Sequence, residues 1–222
     1  MAYKIIRTSA RKLKIIINQF GEVSVRAPKN ASLKSIDEFV EANKEWIDKT
    51  RALEQKRHPD LKRYTGQEGS RVSVFGNEYT IRIVDEGPSR IQEGELLLFS
   101  PKGDNLEALK DFYKNLTKTS ILPQANRMAY LLHFVNVQFK VSSAKTTWGV
   151  CVASETNPHV RLNWRLALVP AYLTDYVIVH ELCHFYFQNH SKDFWQRVSL
   201  YMPDYKERVE KLKNYNWAVL VI

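Results

Sequence analysis

Residues 176–195 read YVIVHELCHFYFQNHSKDFW, and no other stretch leaves the fold so little freedom. Three of the chain's six histidines, His180, His184 and His190, fall within eleven positions, and Glu181 directly follows the first. In a helix, at about 100° per residue, His180 and His184 lie within roughly 40° of each other, one turn apart. Imidazoles so placed reach a single ion at the ~2.0–2.1 Å that zinc requires. Glu181 stands about 100° round from His180, beside such an ion and outside its coordination sphere. A carboxylate there can take a proton from a metal-activated water and pass it to a leaving amine. The helix must then end soon after His184, so that His190 can return as third ligand and leave a fourth position open. Gln188-Asn189 offers the reversal, since Asn tolerates left-handed backbone. Ser191 is placed to cap the next helix, with Phe194 and Trp195 as its apolar anchors.

The chain before this segment alternates between strand and helix patterns. Leu13, Ile15 and Ile17, then Val23 and Val25, recur at period two around the loop Asn18-Gln19-Phe20-Gly21 and predict a hairpin. A helix is expected from Ser32 to about Lys56, with Leu33, Ile36, Phe39, Val40, Asn43 and Ile47 on one stripe. Residues 57–70, with Pro59, Gly66 and Gly69, read as a linker, and a second strand group covers 72–99. From the cap Asp104 a long helix is expected, kinked or divided at Pro123. Three short strands come next, at 137–141, 147–149 and 159–164. The histidine helix then starts near Pro170, two C-terminal helices flank Pro203, and 217–222 forms an apolar tail expected to pack back on the body. The fold class is therefore α+β. A strand-rich N-terminal region with one long helix, residues 1–103, precedes a metal-binding domain at 104–222, though 57–70 serves equally as a boundary.

Charge and cysteine content bound the setting. Residues 1–63 hold 15 Lys and Arg against 8 Asp and Glu, whereas 64–134 hold 8 against 9 and 135–222 hold 10 against 7. That basic N-terminal excess suits either a nucleic-acid footprint or a solvated face. Two cysteines, Cys151 and Cys183, make no disulfide framework, and the first residues, MAYKIIRTSARKLKIII, carry no secretory signal, so a cytoplasmic protein is expected. No apolar run approaches the roughly 18 residues of a membrane span.

HELCHFYFQNHSKDFW, preceded by LNWRLALVPAYLTDYVIV, resembles the YgjP-like metallopeptidases, relatives of the SprT-like proteins. The resemblance extends to Trp148-Gly149 and Cys151, similar to the family's WGSC motif, and to the region around FVEANKEWI. It implies a minimal zincin fold: a long backing helix, a small sheet, the HExxH helix and C-terminal helices. It also implies His180, His184 and His190 as ligands of one Zn2+ per chain and Glu181 as catalytic acid/base. Two departures stand out. The family's SRWGSCS is here Thr146-Thr147-Trp148-Gly149-Val150-Cys151-Val152, and Phe187 occupies the glycine position of the metzincins.

The expectation is a zinc-dependent peptidase acting on a peptide or protein. The alternative is a zinc-containing, nucleic-acid-associated module, or a DNA-associated protease with little free peptidase activity. In zincins an edge strand before the metal helix holds extended substrate, and 159–164 is the segment expected to do so. Asn163 and Arg165 either line that cleft or maintain the fold. Tyr176 and Tyr205 are candidate donors to a tetrahedral oxyanion. Met202 either underlies the site or fills a gap in the core.

Overall fold

A computed structural model describes residues 2–18, 21–57, 66–144 and 146–215. The apolar tail at 217–222, most of the linker and the middle of the first hairpin loop lie outside them. The chain divides into two compact units, Met1–Lys62 and Arg63–Ile222.

In the first unit, β1 (Lys4–Thr8), β2 (Lys14–Ile17) and β3 (Val23–Pro28) form a sheet in the order β1-β3-β2. β2 pairs antiparallel with β3 as the hairpin pattern requires, and β1 runs parallel to β3 on its other side. Period-two alternation sends Val23, Val25 and Ala27 inward and leaves Arg26 in solvent. The expected single helix is two, α1 (Leu33–Ala42) and α2 (Lys44–Arg57). The break falls at Asn43, whose side-chain amide donates back to the Phe39 carbonyl at 2.8 Å and caps the first helix. Ile36, Val40 and Ile47 join the strand residues in a small core, while Leu33, at the start of the stripe, is 61% exposed.

The second unit begins with β4 (Arg71–Val74), β5 (Asn77–Val84), β6 (Arg90–Gln92) and β7 (Glu95–Phe99), in the order β4-β5-β7-β6. Phe75 and Gly76 both take positive φ, 48° and 83°, the two-residue turn whose twist suits a tight hairpin. This hairpin braces the turn just before the histidine helix: Phe75 N–H donates to the Ala167 carbonyl at 2.8 Å, and the Ser73 hydroxyl to Leu168 at 2.7 Å. Val72, Val74, Ile81, Leu96 and Leu98 share one core with the rest of the unit. The strands at 71–99 share one core with the helices and sheet C-terminal to them, and the two compact units divide at 62/63.

α3 (Asn105–Leu116) starts at Asp104, which accepts from Glu107 N–H at 3.0 Å as a cap should. Pro123 does not break the segment. One π-turn, Thr117–Ile121, joins α3 to α4 (Leu122–Leu131), widening the helix where proline has no N–H to give. β8 (Gln138–Ser142), β9 (Gly149–Val152) and β10 (His159–Asn163) form a sheet in the order β8-β10-β9, with β10 parallel to β8 and antiparallel to β9. A 3-10 turn, Trp164–Leu168, leads into α5 (Ala171–Cys183). α5 is buried nearly all round, with Leu173, Val177, Ile178, Val179 and Leu182 inside, as befits a central helix. α6 (Lys192–Tyr201), capped by Ser191 on Phe194 N–H, and α7 (Tyr205–Lys213) complete the unit. Among the described residues no helix is long and apolar enough to cross a membrane.

Candidate metal centre

The last turn of α5 carries His180 and Glu181, and His184 caps the helix at φ −66°, ψ −15°. The chain then folds back through a tight turn in which Tyr186 and Phe187 N–H both donate to the Cys183 carbonyl, at 3.0 and 3.1 Å. The reversal needs no left-handed residue at Gln188 or Asn189, contrary to expectation. Instead the Gln188 side chain donates to the His184 carbonyl at 2.6 Å, replacing the backbone donor a further turn of helix would have supplied.

This return brings His190 alongside the other two histidines. The three ring centroids lie 4.9–5.0 Å apart, and one nitrogen from each ring falls within 4.8 Å of the others. Nε2 of His190 and Nε2 of His180 are 3.0 Å apart. A tetrahedral ion with bonds of ~2.0–2.1 Å separates its ligand atoms by roughly 3.3–3.4 Å, so the cluster fits such an ion with small adjustments. Phe194, fully buried on the first turn of α6, stands 4.9, 4.6 and 4.8 Å from the rings of His180, His184 and His190. It forms a common floor. Trp195 stacks on His190 at 5.6 Å and is itself stacked by Tyr205 at 5.3 Å.

Two of the rings have partners at their far nitrogens. His184 Nδ1–H donates to the Phe187 carbonyl at 2.9 Å, leaving its Nε2 a lone pair. His180 Nδ1 lies 3.1 Å from the Tyr176 hydroxyl one turn earlier. Burial and the neighbouring histidines hold His180 far down, to about 3, and burial lowers His184 as well, so both imidazoles are neutral and able to ligate.

Glu181 leaves the helix on another side, toward β9. It is 6% exposed, and burial pushes its carboxyl up to about 7, with the Cys151 backbone N–H drawing it partly back. Burial, helped by the Glu181 charge, raises the Cys151 thiol to about 12, and burial does the same to Cys183, so neither is a ready thiolate. A cavity of about 470 Å³ opens over the cluster, with the three histidines, Glu181 and Tyr176 in its wall. Thr146 to Cys151 form one side of it, and Val177, Gln188 and Leu212 contribute from elsewhere. Leu212 carries no sequence signal and Gln188 reads in sequence only as part of the turn; the packing of α7 and the turn after α5 places both in the cavity wall.

Other expectations fall differently. β10 is the central strand of its sheet, so 159–164 cannot be a free edge; β8 and β9 are the edge strands, and of the two β9 lines the cavity. Asn163 is 1% exposed and does not line it. Its amide donates to the Ala144 and Thr147 carbonyls at 2.7 and 2.9 Å and its oxygen accepts from Arg165 N–H at 3.1 Å, tying down the loop that delivers β9. Arg165 lies over the Trp164 ring at 4.2 Å, also away from the cavity wall. Tyr205 stacks behind Trp195, whereas Tyr176 reaches the cavity. Met202 is buried in the unit's core.

A family model described as YgjP-like, metallopeptidase domain, matches residues 11–215. No curated protein and no solved structure matches the chain. The match takes in nearly the whole sequence, and the chain belongs to the YgjP-like metallopeptidase family.

Proposed function

We propose that this member of the YgjP-like family is a zinc-dependent peptidase in which His180, His184 and His190 hold the metal and Glu181 is the general acid/base. The observation that carries the reading is the convergence of three imidazole nitrogens within 4.8 Å, with a buried carboxyl one residue along the same helix. Zinc, when bound, supplies a Lewis acid able to bring the pKa of water down to about 7. The protein supplies the rest. Neutral His180 and His184 present lone pairs, and Phe194 limits how far the rings can tilt. In the metal-free protein burial raises the Glu181 carboxyl to about 7, so it holds a proton more readily than an exposed carboxylate does. It can therefore take a proton from the attacking water and return it to the departing amine.

Substrate recognition is assigned to β9. Asn163 N–H donates to the Trp148 carbonyl, which sets the alternation of the antiparallel pair. The peptide groups of Gly149 and Cys151, opposite Leu162 and Val160, then point away from β10 toward the open edge, where the Cys151 N–H serves the Glu181 carboxyl and the Gly149 N–H and the two carbonyls face an incoming strand. An extended peptide pairing there is bound through its main chain, with little demand on its sequence. Trp148, Val177 and Leu212 supply apolar surface beside it. A peptide or protein is the partner this reading carries. Beyond the basic charge of residues 1–63, nothing supports a nucleic-acid partner.

Zinc content and turnover of unfolded protein, measured for wild type and Glu181→Gln, test the proposal. Glu181→Gln is expected to keep one zinc per chain and to lose turnover by about 10²–10⁴-fold. Wild-type protein without stoichiometric zinc refutes the metal assignment, and retained turnover in Glu181→Gln refutes its role as base.

A further inference from the structure

Gly149 is the first residue of β9 and lies where that strand passes α5. A methyl group placed there would stand 2.5 Å from Glu181 Cγ, 2.7 Å from Oε1 and 2.8 Å from Cδ. Real carbon contacts do not come so close, and all three clashing atoms belong to one side chain. The reason for glycine here is space and not backbone conformation, because Gly149 does not adopt the positive φ that other glycines of the chain take. Glu181 is 6% exposed and lines the cavity over the histidines, so the clash is relieved by the carboxyl leaving its seat beside β9. The Cys151 residue of the same strand completes the seat, since its backbone N–H faces the open edge and interacts with the Glu181 carboxyl.

We infer that Gly149 is a positioning residue for Glu181: the strand that offers its edge to substrate also seats the general base, in a space that exists because position 149 has no side chain. The mechanistic meaning rests on the proposed role of Glu181; the packing relation does not. Any side chain at 149 displaces the carboxyl from the metal site while leaving the three histidines, none of which the added methyl meets within its three nearest contacts.

The test is a double-mutant cycle read by thermal melting, joined to metal content and turnover. Gly149→Ala in the wild-type background is expected to lower the melting temperature by roughly 2–10 °C, as an overpacked site does. It should retain one zinc per chain and lose turnover by about 100-fold or more. In the Glu181→Ala background, where the clashing side chain is gone, Gly149→Ala should cost almost nothing in melting temperature. Equal losses in the two backgrounds overturn the inference, as does Gly149→Ala turnover matching wild type. Should Gly149→Ala alone fail to fold, a folded Gly149→Ala/Glu181→Ala protein supports the inference, and an unfolded one overturns it. The thermal cycle needs no turnover, so it decides the packing relation even if the protein proves not to be a peptidase.

Discussion

Replacing Tyr176 with Phe removes a single oxygen and asks how His180 is held ready for a metal. The hydroxyl lies 3.1 Å from His180 Nδ1, and the tyrosine is 5% exposed. For Nε2 to bind an ion it must be unprotonated, so the proton resides on Nδ1 and is donated to the Tyr176 oxygen. A phenylalanine ring offers no acceptor, and the buried Nδ1–H is orphaned at a cost of about 1–3 kcal/mol. In the metal-free protein the His180 ring escapes by changing tautomer, since Nε2–H can donate to His190 Nε2, 3.0 Å away. The loss therefore falls on the bound form and appears as affinity. At about 1.4 kcal/mol per tenfold, it amounts to roughly 5–150-fold weaker zinc binding, in line with the ~10–100-fold typical of partners behind metal ligands. Competition against a chromophoric chelator measures it directly. Tyr176→Phe with zinc affinity within twofold of wild type refutes the reasoning. If such a variant were fully loaded but slow, Tyr176 would instead be the oxyanion donor expected from sequence.

Three further outcomes rest on the same geometry. His190→Ala should weaken zinc binding beyond the roughly 10–100-fold of an outer partner, because it removes one of the three proposed ligands; unchanged affinity in the same competition assay excludes His190 from the metal. Asn163→Ala breaks three hydrogen bonds of 2.7–3.1 Å in a buried site, which at about 1 kcal/mol each should lower stability by roughly 3 kcal/mol in urea titrations. A fully stable variant with raised KM would return Asn163 to substrate binding. Stripping the metal should lower the melting temperature, since zinc at 100 times its Kd contributes about 2.7 kcal/mol, or roughly 5–10 °C for a chain of this size. A melt indifferent to chelator argues against a metal bound by the native fold.

What the sequence determined by itself is what helical and strand periodicity can settle locally. His180 and His184 on one turn, Glu181 beside them, Ser191 and Asp104 as caps, and the alternation of Val23 and Val25 all depend on residues within a few positions of one another. His190 belongs with them, because six residues leave little choice of path once a cap comes at Ser191, although the turn's chemistry lay in Gln188 and not in a left-handed Asn189. The tertiary structure decided what depends on partners distant in sequence. Alternation marks 159–163 as a strand but says nothing of its neighbours, so only the pairing of β10 with both β8 and β9 shows that it is no edge, and only the cavity beside 149–152 singles out that edge of the sheet. Asn163 reads alike as a cleft residue or a clamp until the carbonyls of Ala144 and Thr147 arrive at its amide. The strands at 71–99 are separated from the histidine helix by about 70 residues of chain, yet share its core because Phe75 and Ser73 bond to the turn that launches it. The nearness of Gly149 to Glu181 is of this second kind: spacing along the chain states which atoms a residue carries, and packing alone states what those atoms must avoid.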